Sequence, residues 1–346
     1  MTEQPRPISS ADSPSASIGA DASAPSSGRE ARGTLAIGVC TYNRGEAITR
    51  TLETLASMDR VGGRVSRFII IDNRSSDGTA GAIDRFIASH RDVPMVRWHE
   101  ATPGKSAALT KLFRETIEDF IGVIDDDVLA SPNWAQGMLA LMDDQARCGG
   151  AGGPVENIWE GGMTRIAQIY RRSLGDQLLG EARARLDAPS SFLMGASMVM
   201  RREAILQSGW LDGRSMDCRR GDVLEGGEDA ELCLKIRRAG WELWYEPTAR
   251  AGHLIPAWRT THEYIAKLRR SICRTEPMIR WLWDSSLSLG EARAQRTRAR
   301  RRYLKTLLFD WRPTRRRVRV AERLGRVEGW DSLVSKLETG ELKRDG

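Results

Sequence analysis

Three consecutive carboxylates, Asp125-Asp126-Asp127, follow the apolar run Phe120-Ile-Gly-Val-Ile124. Adjacent carboxylates repel, so such clustering is costly unless a cation offsets it. In an extended chain the side chains at i and i+2 lie on one side. Asp125 and Asp127 can therefore address one ligand while Asp126 points away from it. Oxygen ligands at this spacing suit Mg2+ or Mn2+ holding a diphosphate. An acidic turn ahead of a helix N-terminus has the same composition, and the strand-end position favours the metal. A second carboxylate, Asp72, ends the run Arg67-Phe-Ile-Ile-Ile71. It can accept the ring N–H of uracil, thymine or guanine, although an Asx-turn would use it equally well. Pro103-Gly-Lys-Ser106 puts Lys105 at a helix start, where a phosphate is welcome. His99 stands where a Walker loop needs glycine, which excludes a P-loop.

Glu228-Asp229 opens a helix whose apolar stripe is Leu232, Cys233, Ile236 and Ala239. Asp229 precedes Leu232 and Cys233 by three and four residues and so shares the inward face, whereas Glu228 and Glu231 lie off it. Glu231 can pair with Lys235 one turn on. An inward carboxylate on a first turn, after a glycine-rich segment, suits a general base that the helix dipole keeps ionised; a plain N-cap has the same sequence. His253 follows Ala251-Gly252 in an apparent loop and reads either as a structural histidine or as a further ligand to the carboxylate metal site. Arg259 reads as a surface arginine or a diphosphate contact. Trp241, Trp244 and Trp258 read as core residues or as faces that stack on sugar rings.

These groups need a frame. The chain has 346 residues, which at about 150 per domain suits two modest domains or one large one with an appendage. Hydrophobic residues at 40% and charged residues at 29% leave enough apolar material for a core and exclude a wholly disordered chain. Buried strands are expected at 35–40, 67–71, 96–98 and 120–124, with helices from about 46, at 79–89 and at 105–119. That alternation implies β-α-β units and a mainly parallel sheet flanked by helices, which binds ligands beyond its carboxyl ends. Three such ends carry polar clusters: Thr41-Tyr42-Asn43-Arg44, the segment from Asp72 to Asp77, and Asp125 to Asp127. Further on, 171–191 reads as a loop, 192–200 as a strand with a close backbone approach at Gly195, and 213–227 as a mobile loop. Residues 1–32 read as a disordered tail. No apolar run reaches the ~18 residues of a membrane span, and the first thirty residues have no apolar segment of a secretory signal. Five scattered cysteines favour neither disulfides nor a zinc knuckle. The expectation is a cytoplasmic protein, peripheral at most to the inner face of a membrane.

The set Thr41-Tyr-Asn-Arg44, Ile71-Asp-Asn-Arg-Ser-Ser-Asp-Gly-Thr79, Asp125-Asp-Asp127 and Gly227-Glu-Asp-Ala-Glu-Leu232, in this order over roughly residues 34–255, resembles the family 2 glycosyltransferases of GT-A fold. The resemblance implies an inverting enzyme of Rossmann-like α/β fold that takes a sugar from a UDP-, dTDP- or GDP-sugar with Mn2+ or Mg2+. It implies donor contacts from Thr41, Tyr42, Asn43, Arg44, Asp72, Lys105, Asp125 and Asp126. It implies a metal held by Asp127 first, with Asp125 and His253, the latter about two dozen residues after Asp229. Asp229 would be the catalytic base. Trp210-Leu-Asp212 is similar to the segment before the family's acceptor loop, which with Glu228 gives acceptor contacts at Trp210, Asp212 and Glu228. The run after Gly104 lacks the Ala-Arg-Asn usual in many members.

The expected organisation is a tail (1–32), a glycosyltransferase domain (33–255, donor half to about 130, acceptor half beyond) and a helical, arginine-rich extension (256–346). Net charge is +7, from 53 Lys and Arg against 46 Asp and Glu. Residues 291–319 interleave arginines with Tyr303, Leu304, Leu307, Leu308, Phe309 and Trp311. This suits either a helix packed on the catalytic domain or peripheral contact with an anionic membrane, and so a glycan or lipid-linked acceptor. Two alternatives stand beside the transferase. A sugar nucleotidyltransferase would carry a glycine-rich loop after the first strand, which Thr41 to Arg44 is not. A nucleic-acid-binding protein leaves the strand-end clusters unexplained.

Overall fold

The computed structural model describes residues 33–188, 191–213, 216, 224, 226–311 and 313–342. The expected tail at 1–32 lies outside them, as does most of the expected mobile loop at 213–227. The described residues form one compact unit.

The chain opens with β1 (Leu35–Thr41), α1 (Thr49–Ala56), β2 (Val65–Asp72), α2 (Thr79–Ser89), β3 (Met95–His99), α3 (Lys105–Glu115) and β4 (Phe120–Ile124). It continues with β5 (Val128–Ala130), α4 (Trp134–Asp144), β6 (Cys148–Gly152), β7 (Val155–Trp159), α5 (Arg165–Ile169), β8 (Ala184–Arg185), β9 (Ser197–Arg201) and α6 (Arg202–Gln207). It ends with α7 (Glu228–Arg238), β10 (Glu242–Tyr245), β11 (Ala251–Ile255), α8 (His262–Trp283), α9 (Leu289–Phe309) and α10 (Pro313–Glu338). The main sheet runs β3-β2-β1-β4-β9-β6-β10-β8. Its first four strands are parallel, and β9 is antiparallel to both neighbours. A small sheet, β5-β11-β7, stands apart from it.

Strands buried on both faces read as continuous apolar runs, and the period of two still sorts their side chains. Leu35, Ile37, Val39, Phe68 and Ile70 face one core with Leu52, Phe86 and Trp134. Ala36, Ile69, Ile71, Ile121 and Val123 face the other with Leu112, Phe113 and Ile236. Trp134 is fully buried and its Nε1–H donates to Ser197 Oγ at 2.9 Å, which ties α4 to β9.

Three expectations shift. The helix expected to reach Asp119 stops at Glu115, because Thr116 is extended and Glu118 is drawn to Arg67 at 2.8 Å and Ser66 at 2.7 Å. The strand expected from Phe192 begins at Ser197. Gln177 takes up the earlier backbone instead, donating to Phe192 O at 3.1 Å and accepting the Met194 N–H at 3.2 Å. The segment 171–191, expected to be a loop, holds a single tight helical turn (Arg171–Leu174), buries Asp176 and Gln177, and supplies β8. Cys40, Cys148, Cys233 and Cys273 are free thiols.

The extension is built on glycine. A Cβ at Gly325 of α10 would stand 2.1 Å from Arg270 O of α8, and one at Gly329 would stand 2.2 Å from Arg274 O. Only a bare backbone allows this approach. Arg326 then reaches Glu276 at 2.7 Å and Arg269 reaches Glu322 at 2.8 Å. Among the described residues no helix is long and apolar enough to cross a membrane. Gly325→Val forces the two helices apart and is expected to cost about 1–3 kcal/mol, read from the urea midpoint; unchanged stability would show that α10 stands off α8.

Candidate active site

A cavity of about 1140 Å³ opens beyond the carboxyl ends of β1, β2 and β4. The N-termini of α3 and α7, strand β11 and the start of α8 complete its walls. This is where a parallel sheet leaves room, since each strand ends in a loop and each following helix begins there.

Asp125 to Asp127 form a turn, closed by the Val128 N–H on Asp125 O at 3.1 Å. The extended geometry expected from sequence therefore does not apply, and all three carboxylates line the cavity, Asp126 included. Each meets a cation. Arg44 Nη2 donates to Asp126 Oδ1 and to Asp127 Oδ2, both at 2.7 Å. Arg259 Nη1 donates to Asp127 Oδ2 at 2.9 Å, and Lys105 Nζ to Asp125 Oδ1 at 2.5 Å. Arg259 is buried against Asp127 and is not the surface arginine expected. His253 Nε2 lies 3.3 Å from Asp127 Oδ1. Its Nδ1 lies 2.8 Å from Leu174 O, an acceptor only, which places a proton on Nδ1 and leaves Nε2 to meet Asp127, as a hydrogen-bond donor when the ring carries both protons.

Burial works against the charge on Asp127, but His253, Arg44 and Arg259 outweigh it and hold its pKa well below the ordinary value. Burial wins at Asp126, where Arg44 offsets only part of it and the pKa is raised. Asp127 is thus the group that stays anionic in a dry setting.

His253 is not in a loop. Strand β11 pairs antiparallel with β5, in the register His253↔Val128, and the Leu254 N–H donates to Asp127 O at 2.9 Å. Backbone pairing across 126 residues sets the histidine beside the carboxylate. Among the described residues no group of three or more His, Cys, Asp or Glu side chains is arranged to hold a metal ion. Of the expected metal set, Asp127 and His253 converge, whereas Asp125 turns to Lys105. The convergent pair fits a divalent ion. Two adjacent ligands about 2.1 Å from Mg2+ stand about 3 Å apart, and the Leu174 carbonyl fixes the His253 ring as metal-binding histidines require.

The strand-end loops are braced together. The Arg44 and Gly45 N–H groups both donate to Thr79 Oγ1 at 2.8 Å, and Asn43 Oδ1 accepts the Ser76 N–H at 2.8 Å. Thr41 and Tyr42 line the cavity beside them. Asp72 does not reach it. It is buried beneath the loop with Oδ1 accepting the Ser75 N–H at 3.0 Å, so the wall is formed by Asn73, Arg74 and Ser76.

On α7 the first turn carries Glu228 and Asp229 into the cavity. Asp229 Oδ2 accepts the Gly195 N–H at 3.2 Å, an approach open to glycine because an added Cβ would stand 3.1 Å from Asp229 Cβ. Burial first, and then the neighbouring Glu228, push the Asp229 pKa up to about 6, against its backbone hydrogen bonds and Lys105. The helix N-terminus does not keep it at an ordinary value, as the sequence suggested. Glu231 lies 3.9 Å from Lys235, the pairing the sequence offered, but it is 0% exposed rather than outward, and its carboxylate accepts the Met216 N–H at 3.1 Å.

Two expected acceptor residues are placed elsewhere. Trp210 is 1% exposed, packed edge-on against Phe113 in the core beneath Asp229. Its size and apolar face suit that core better than a ligand wall. Asp212 is exposed in a turn and does not line the cavity. Of the three tryptophans, Trp241 and Trp244 pack on the cores while Trp258 is 57% exposed at the cavity, its ring 5.2 Å from the Arg259 guanidinium. Sequence reasoning missed Leu174, Tyr264 and Lys267 as cavity residues. The last two lie on the apolar and basic faces of α8, which carried no site-like pattern.

Comparison with known proteins bears on the family and the fold. The family model described as glycosyl transferase family 2 matches residues 36–208. A pre-mycofactocin glycosyltransferase of Mycobacterium tuberculosis is 27% identical over 191 residues, 54% of this chain and 37% of that protein, so the match spans little more than a third of that relative. A glucosyl-dolichyl phosphate glucuronosyltransferase of Haloferax volcanii is 22% identical over 236 residues, 66% of this chain and 71% of that protein. Among solved structures, a mannosyltransferase from Pyrobaculum calidifontis in complex with GDP-Man and Mn2+ aligns with a TM-score of 0.54 at 17% identity, over 87% of this chain and 88% of that one. At that identity the likeness is one of fold.

A carboxylic acid whose pKa is raised on folding favours the folded state below its unfolded value and loses that contribution as pH rises through the folded value. Asp229 goes from 3.8 to about 6. Asp229→Asn is therefore expected to flatten the decline of stability between pH 4 and 6, measured by urea unfolding across that range. An unchanged slope would show that Asp229 ionises normally.

Proposed function

The chain belongs to glycosyl transferase family 2, and on that premise we propose that it moves a sugar, with inversion, from a nucleoside-diphosphate sugar to an acceptor hydroxyl. The observation that carries this reading is the pair of carboxylates in one cavity, Asp127 held anionic among Arg44, Arg259 and His253 and Asp229 on α7 beside the Gly195 N–H, its pKa raised to about 6.

In this reading the donor diphosphate lies against Arg44, Arg259 and Lys105, which exchange their carboxylate partners for phosphate oxygens. The base and ribose lie along Thr41 to Asn43 and Arg74 to Ser76, with Asp72 shaping that loop from beneath. Asp127 and His253 would hold Mn2+ or Mg2+, which when bound offsets charge on the departing diphosphate. Asp229 receives the proton of the acceptor hydroxyl as that oxygen bonds the anomeric carbon and the bond from this carbon to the diphosphate oxygen breaks. A carboxylate near pKa 6 is ionised at neutral pH yet basic enough for the task, a step worth typically ~10²–10⁴-fold. Lys105 touches both halves of the site, 2.5 Å from Asp125 and 4.0 Å from Glu228, and fixes one against the other. Trp258 offers its face to a sugar ring.

The relative from Haloferax volcanii is named for a lipid-linked sugar, glucosyl-dolichyl phosphate, and we assign this chain to polysaccharide, glycolipid or cell-envelope glycan assembly with a glycan or lipid-linked acceptor. The expected product is a free nucleoside diphosphate; release of pyrophosphate would mark a nucleotidyltransferase.

A panel of UDP-, dTDP- and GDP-sugars with Mn2+ or Mg2+, read by donor turnover and thermal shift, tests this reading. Asp229→Asn is expected to keep the donor-induced shift and lose transfer by about 10²–10⁴-fold, and full transfer would remove Asp229 from its role. Asp127→Asn, which keeps the shape and removes the charge, is expected to abolish the metal-dependent part of the shift. An undiminished shift would place the ion elsewhere.

A further inference from the structure

Between Glu291 and Glu322 the chain carries twelve Lys and Arg residues and one acidic residue, Asp310. The structure folds this stretch into the end of the α9–α10 hairpin. Helix α9 lays Ala292 and Ala299 inward. Its last turns expose Arg298, Arg301, Arg302 and Lys305. Leu304 and Leu308, one turn apart, are 56% and 74% exposed; Phe309 and Trp311, at the tip, are 70% and 83% exposed. Asp310 is turned inward in an ion pair with Arg319. Large apolar side chains gathered at one end of a fold mark a contact surface.

We propose that this tip docks on an anionic lipid bilayer, with Leu304, Leu308, Phe309 and Trp311 entering the headgroup boundary and the surrounding arginines meeting lipid phosphates. A basic rim around an apolar tip supplies the two signals that stable peripheral binding needs. A second copy of the same face would set arginine against arginine. A nucleic acid would leave the two leucines without a partner.

The placement is useful. Arg317, on the first turns of α10, lies 4.0 Å from Glu263 at the start of α8, and the adjacent Tyr264 lines the cavity in edge contact with Trp258. A docked tip therefore brings the cavity's α8 wall to the membrane. The further step, delivery of a lipid-linked acceptor, rests on the transferase reading; the docking does not.

Vesicle flotation of the full chain, without donor, tests it. Wild type is expected to float with phosphatidylglycerol-containing vesicles and to stay behind with pure phosphatidylcholine. The triple variant Leu308→Ser, Phe309→Ser, Trp311→Ser is expected to bind at least tenfold more weakly with an unchanged melting temperature. Replacing Arg298, Arg301, Arg302 and Lys305 by Gln is expected to remove the preference for anionic lipid. Wild type left behind by anionic vesicles, equal flotation of the triple variant, or tip-dependent binding to single-stranded RNA without vesicle binding overturns the proposal.

Discussion

Asp127 is a buried carboxylate, and the groups that keep it charged organise the whole cavity. An ionised carboxylate out of water is costly unless it is paired and hydrogen-bonded. Here one pair of oxygens serves Arg44 from the end of β1, Arg259 from the turn before α8 and His253 from β11. Segments far apart in sequence, at residue 44, residue 127 and residues 253–259, are drawn to one point. The same arrangement is ready for exchange: a ligand that brings its own phosphate oxygens can take the two guanidiniums, and a divalent ion can take the carboxylate and the imidazole they leave.

Asp229 shows the opposite solution within the same cavity. Among the described residues it accepts two backbone N–H groups and meets no cation in direct contact, and Glu228 stands beside it. Its pKa rises where that of Asp127 falls. In the proposed reading two carboxylates driven apart in this way would divide the work, one anchoring charge and one moving a proton. Lys105, reaching toward both halves, couples their electrostatics without neutralising Asp229.

Much of the fold was legible from periodicity. The strand–helix alternation from Leu35 to Ile124 comes from apolar runs with turn residues between them, and the polar strand ends marked the edge at which the cavity opens. Legibility failed where tertiary pairing decides. His253 looked like a loop residue because a five-residue strand in a small separate sheet leaves almost no sequence signature. Asp126 was expected to point away on the premise of an extended chain, and the chain turns instead. Arg259 stayed open between a surface arginine and a diphosphate contact because sequence does not say which charges will find a buried partner. Trp210 was read as a ligand contact from its neighbours, although a large apolar face beneath a helix start is a packing residue. The α8–α10 crossing rests on Gly325 and Gly329, four apart, a spacing that carries meaning only once a facing backbone is known.

The most direct measurement is a crystal structure of the full chain grown with Mn2+ and a nucleoside diphosphate. The expected result is an anomalous Mn2+ peak between Asp127 and His253, with Arg44 and Arg259 turned from Asp127 onto the diphosphate. An intact Arg44–Asp127–Arg259 cluster, with the nucleotide bound elsewhere or not at all, would contradict the role assigned to Asp127.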